Sequence, residues 1–163
     1  MVRYITPAGS GSRDGTSWSN AGTLGSLDSF IGAVGPGGEV LLRADMGGYN
    51  IGGIDTRTIG HGGASGAPVT VRGVDEFGAG MKVEIVGVRA DPWLPGLNKG
   101  GQEVFLLQSG ADHLVFRDLS FKNVGSAAFR IGASRSATSS PTTFSGSSKT
   151  RPSPAPARRP STD

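Results

Sequence analysis

Short runs rich in Val, Ile, Leu and Phe, each broken by Gly or Asp, recur along the chain: 39–45 (EVLLRAD), 67–75, 81–88, 103–110, 113–124 and 127–132. Runs of this length and composition read as β-strands, and their breaks read as tight turns. The 28 glycines among 163 residues lie outside any triplet period, which agrees with many turns between short strands. Phe105 and Phe129 stand 24 residues apart in matching segments, FLLQSG and FRIGAS. A repeat in the low twenties holding two or three strands is what one coil of a parallel β-solenoid requires. A β-sandwich competes, since it also uses short strands at 8–12 residue intervals. Its hairpins call for Asn-Gly or Asp-Gly turns, and Asp14-Gly15 is the one such pair, lying ahead of the strand region.

One segment has a different period. In residues 25–34 (GSLDSFIGAV), Leu27, Phe30, Ile31 and Val34 recur at helical spacing, with Ser26 placed as N-cap and Asp28 near the positive end of the helix. The Gly-Pro-Gly-Gly at 35–38 ends it.

Residues 3–27 (RYITPAGSGSRDGTSWSNAGTLGSL), together with GPGGEVLLRAD, GASGAPVTVRGVD and ADHLVFRDLSFKNVG, resemble the opening of the pectate-lyase-like parallel β-helix proteins. The resemblance covers residues 3–132 and implies an all-β, right-handed, single-stranded parallel β-helix whose open end the short N-terminal helix caps. It further implies a polysaccharide as partner, a parent protein of lyase or glycoside hydrolase type, an extracellular or cell-surface setting, and calcium as a cofactor the family admits. Since the group also contains adhesins and tailspikes, a structural or glycan-binding module without catalysis is the second reading.

After residue 132 the pattern stops. Residues 133–163 hold one large apolar residue, Phe144, and 14 Ser plus Pro. Such a composition reads as a disordered tail. The genetic code offers another account. In a slipped frame, TCN serine codons become Phe, Leu, Ile or Val codons, and the Ser and Phe positions then yield apolar residues at 134, 136, 139, 140, 144, 145, 147 and 148, restoring a strand-like pattern. The chain thus divides into 1–132, the cap and first coils, and 133–163, a Ser/Pro-rich tail consistent with a frameshift. Under that reading the central coils that carry catalysis in such enzymes are missing, and this chain is inactive by itself.

Charge narrows the choice of partner. Five of the 16 Lys/Arg but one of the 13 Asp/Glu lie in 133–163, leaving 11 basic against 12 acidic residues in 1–132. The folded part therefore lacks the footprint of a nucleic-acid binder. No 18-residue apolar run suited to crossing a membrane is present, and there is no cysteine for a disulfide or thiolate metal site.

Candidate site residues follow from chemistry. The loop 89–103 (RADPWLPGLNKGGQE) offers Trp93 to stack on a sugar ring, with Asp91, Asn98 and Lys99 as polar neighbours. Asp45 and Asp75 each follow a strand and are candidate calcium ligands, although turn formation is the commoner use of such aspartates. Asp112 and Asp118 suit glycoside hydrolysis by residue type alone. His61 and His113 lack a ligand-spaced partner, and Asn123 reads as a turn residue. The glycine-rich GHGGASG and GSGSRDG do not match a phosphate-binding loop.

Overall fold

The computed structural model describes residues 1–51, 56–87 and 103–132. The first strand, β1 (Val2–Ile5), is followed by short 3₁₀ turns at Trp18–Asn20 and Leu24–Ser26 and then by the helix α1 (Leu27–Val34). The helix forms where the periodicity predicts it and buries all four of its predicted apolar residues. Ser26 occupies the N-cap position without a side-chain cap bond. The hydroxyl of Ser29 donates to the Ser26 carbonyl at 2.9 Å instead. Gly35, at φ +66°, turns the chain out of the helix.

Nine strands follow: β2 (Glu39–Arg43), β3 (Tyr49–Asn50), β4 (Arg57–Ile59), β5 (Val69–Val74), β6 (Val83–Val86), β7 (Phe105–Leu107), β8 (Leu114–Arg117), β9 (Leu119–Lys122) and β10 (Phe129–Ile131). Each of the strand-like runs contains one, and the run 113–124 contains two. The sequence reading missed β1, β3 and β4, which have two to four residues each and carry little pattern. The strands build three parallel sheets, ordered β1-β2-β5-β8, β3-β6-β9 and β4-β7-β10. From β2 onward the chain visits the three sheets in rotation. Parallel pairing between the named strands rules out the hairpin-built sandwich.

The expectation of an all-β, right-handed parallel β-helix is corrected by this arrangement. Among the described residues the content is mixed α/β, with three short parallel sheets of three or four strands, one short helix and no closed solenoid. The physical reason lies in element length. Strands of two to six residues, separated by glycine-rich corners, give three sheets that do not merge into a continuous wall. The first layer contributes a strand to one sheet only, and the 3₁₀ turns and α1 follow that strand before β2 begins.

The core lies between the three sheets. Val40, Leu42, Val69, Val71, Val83, Ile85, Ile59 and Phe105 are fully buried. Phe129 pairs in register with Phe105, as their matching segments suggest. Phe105 also meets Phe116 and Phe121, with ring centroids 5.3–6.0 Å apart among these contacts. Helix α1 packs across β1, β2 and β4, so one end of the core is covered.

Two corners show why so much glycine is needed. Gly73 lies under the turn at Asp118, where an added Cβ would run into the Met81 carbonyl and sit 2.6 Å from the Asp118 carbonyl. Gly87 lies likewise under Asn123, where a Cβ would strike the Asn123 carbonyl. Asp118 and Asn123 themselves adopt φ of +55° and +52°, the left-handed region that Asp and Asn tolerate best after glycine. Asn123 is thus a turn former, in keeping with its structural reading.

Candidate functional site

The described residue set with most chemistry on one surface lies on the four-stranded sheet. In β2, Val40 and Leu42 belong to the core cluster, while Glu39, Leu41 and Arg43 point to the opposite face, where Leu41 is itself buried. Register then sets Tyr4, Leu41, Arg72 and Arg117 in one row across the sheet. At the usual strand spacing this row spans about 14 Å.

Around the start of that row, Trp18 meets Tyr4 edge to face, with centroids 4.6 Å apart. The Arg43 guanidinium lies 5.2 Å from the centre of the Trp18 ring, within cation–π range. Asp45, two residues on from Arg43, forms a fork with it through Nε and Nη2, the Nη2 contact being 3.2 Å. Glu76, from the turn after β5, reaches Arg43 Nη2 at 3.2 Å. The Arg43 side chain is 11% exposed, so this fork is held firmly at the surface. The hydrogen bond from Arg43 holds the Asp45 carboxyl below the usual carboxylate range, which keeps it an acceptor. Further along the row, Arg72 Nε donates to Glu39 at 3.2 Å and Arg72 Nη1 donates to the Gly78 carbonyl at 3.3 Å.

A second polar constellation joins α1 to the loop after β4. Asp28 Oδ1 accepts from the amides of Gly60 (2.8 Å) and His61 (3.1 Å) and lies 3.0 Å from His61 Nδ1. Burial pushes the Asp28 carboxyl up, but these hydrogen bonds together outweigh it and leave it below its ordinary value. The pair has no nucleophile among its contacts, and its geometry ties a helix to a loop. A shallow groove of about 410 Å³, lined by Leu106, Gln108, Ser109, Arg130 and Gly132, lies on the sheet that holds β7 and β10. Arg130 Nη1 stands 3.6 Å from Glu103.

The sequence-derived ligand residues Trp93, Asp91, Asn98 and Lys99 lie outside the described residues. So does the tail 133–163. Of loop 89–103 only Glu103 is described, and it is buried.

The calcium candidates Asp45 and Asp75 have other duties. Asp45 pairs with Arg43, while Asp75 Oδ1 accepts the amides of Phe77 (2.9 Å) and Ala79 (2.8 Å), a turn-forming pattern. No group of three or more metal-binding side chains occurs among the described residues, so these aspartates do not fit the oxygen cage that calcium needs.

Asp112 and Asp118 sit at corners, their carbonyls accepting the amides of Gly63 and Val83 at 2.9 Å. His113, at φ +53°, is likewise a corner residue. No described helix is long and apolar enough to cross a membrane.

Sequence reasoning missed Trp18 and Tyr4 as site residues. The available signal was a tryptophan within a Gly/Ser-rich stretch where no strand or helix period asks for a large apolar side chain. The Arg43–Asp45 pair is local in sequence, with Asp45 in the turn two residues beyond the end of β2. Glu76 and His61 were not legible, because each reaches its partner across 33 residues. Comparison of the chain with family models, with curated proteins and with solved structures yielded no match in any of the three.

Proposed function

We propose that this chain binds a polysaccharide and does not by itself cleave it. One observation carries the reading: the half-exposed Trp18–Tyr4 pair lies beside an Arg43 guanidinium already fixed by Asp45 and Glu76 on the same outer sheet face. Sugar recognition calls for an apolar ring surface next to rigid, planar hydrogen-bonding groups, and preorganised groups lose little entropy on binding. The resemblance of residues 3–132 to polysaccharide-acting proteins supports the same substrate class. Against cleavage, Asp45, Glu76 and Glu39 near this surface are paired with Arg43 or Arg72 and Asp75 accepts backbone amides, so each of these carboxylates is held as an ionised acceptor and not as a protonated general acid.

The test is affinity electrophoresis through gels containing neutral or uronate-rich polysaccharides, combined with assays for unsaturated products and for new reducing ends. Retention of the native chain without product is expected, with at least a tenfold loss of affinity in Trp18→Ala. Trp93→Ala, run in parallel, measures the share of the 89–103 loop. Undiminished retention of Trp18→Ala, or release of product by the native chain, overturns the proposal.

A further inference from the structure

Resting on the polysaccharide reading, we propose that the Trp18 surface selects uncharged sugars and turns away uronates and amino sugars alike. A sugar ring stacked on Trp18 or Tyr4 would lie beside Arg43, whose guanidinium is 5.2 Å from the centre of the Trp18 ring. The charges at that position are unequal. Arg43 is paired with Asp45 and with Glu76. Asp75, next to Glu76 in the chain, adds a third carboxylate. The hydrogen bond to Asp45 and then the charges of Asp45, Glu76 and Asp75 raise the Arg43 pKa above its ordinary value. One guanidinium thus stands among three carboxylates.

The rest of the sheet face does not redress this balance. Arg72 and Glu39 form a pair with no net charge. Arg3 is in register with the core residue Val40 and so leaves this face. Arg117 is exposed, is followed by Asp118 and has no ion pair among the described residues. It lies at the far end of the row, about 14 Å from Tyr4 at the usual strand spacing. A charge that distant is largely screened at about 0.1 M salt.

Three kinds of sugar meet this arrangement differently. A uronate carboxylate brought to Trp18 meets an excess of acids, on a guanidinium whose Nε and Nη2 are already bound. An ammonium finds the cation–π position on Trp18 held by Arg43, which repels it. A hydroxyl both donates and accepts, so it can bond a carboxylate oxygen and the remaining Nη1 group of Arg43 without a charge of its own. Selectivity then comes from like charges set against two classes of ligand.

The experiment is equilibrium depletion of the full chain on beads carrying amylose, mixed-linkage β-glucan or galactomannan, each tested unmodified, after oxidation of its C6 hydroxyls to carboxylates, and after their replacement by amines. Linkage is the same within each set, so only charge differs. Trp18→Ala is run on every bead, and binding that survives it is subtracted as attraction elsewhere on this basic chain. At least one unmodified polymer should bind tenfold or more tightly than its oxidised and its aminated forms. In the double variant Asp45→Asn, Glu76→Gln the ratio of oxidised to unmodified affinity should rise at least tenfold, an outcome that loss of folding cannot imitate. Equal or tighter Trp18-dependent binding of an oxidised or aminated form overturns the selectivity and leaves the polysaccharide reading standing. A ratio that does not move in the double variant also overturns it, because the acids around Arg43 would then not be its source. Absence of Trp18-dependent binding to every polymer overturns both.

Discussion

Tyr49 shows how much one side chain can organise. It is fully buried, and its hydroxyl lies 2.9 Å from the Ile5 carbonyl and 3.0 Å from the Arg43 carbonyl, sharing one proton between two strand ends. Burial pushes its ionisation well above the ordinary tyrosine range, so it stays a neutral donor at any working pH. Tyr49→Phe keeps the ring but leaves two buried carbonyls without this donor. A loss of about 1–3 kcal/mol is expected, the usual cost of a buried polar group left unpaired. Urea denaturation with an unchanged slope would show the loss, whereas an unchanged midpoint would mean that the carbonyls find other partners. In the sequence Tyr49 follows Gly47 and Gly48 and is one of two residues in the shortest strand, so nothing local marks it. Its role comes from contact with β1, 44 residues away.

Among the elements, the corners set tighter limits than the strands. A strand interior accepts many apolar residues, but a corner stacked beneath another corner accepts only what the overlying carbonyl leaves room for. Gly73→Ala and Gly87→Ala each place a methyl group against a backbone carbonyl of the next layer, and backbone cannot swing aside as a side chain does. Each is expected to destabilise the fold by about 1–3 kcal/mol, the range for overpacking. Gly47→Ala is a useful contrast, because open space surrounds that position and only its φ of +95° opposes the change. Should thermal melts show Gly73→Ala to be no worse than Gly47→Ala, the close stacking of corners is not what limits these positions. Glycine frequency in the sequence announced many turns. Which glycines lie beneath a carbonyl of the next layer was not legible, since Asp118 and Asn123 come 45 and 36 positions after Gly73 and Gly87.

Across the whole molecule, helix α1 is attached both by its apolar face and by Asp28. Because hydrogen bonds to Gly60 and His61 hold the Asp28 carboxyl below its unfolded value of 3.8, the ionised form stabilises the folded chain. That contribution is full above pH 3.8 and is lost as pH falls through the lower, folded value. Asp28→Ala should therefore lower the melting temperature near neutral pH, by an amount corresponding to about 1 kcal/mol for a partly exposed carboxylate. The difference between native chain and variant should shrink below pH 3.8. A gap that persists unchanged at pH 2 would assign the effect to side-chain packing instead of charge. The helix itself was readable from the spacing of Leu27, Phe30, Ile31 and Val34, and so was the acid in its first turn. The partner that Asp28 holds was not, because Gly60 and His61 belong to a loop defined only once β4 is in place.

The sequence by itself determined the local elements: the helix, where a 3.6-residue period and a Gly-Pro stop coincide, and the longer strands, where β-branched runs end at Gly or Asp. It also determined the pairing of Phe105 with Phe129, because matching segments at a constant spacing find the same place in successive layers. Tertiary structure alone decided how the strands divide among three short sheets, and that no closed solenoid results. It also decided that Trp18, Tyr4, Arg43, Asp45 and Glu76 share one surface. The physical reason is range. Periodicity and turn chemistry act over a few residues and are written in the chain, while register, burial and ion pairing join positions tens of residues apart, which only the folded backbone brings together.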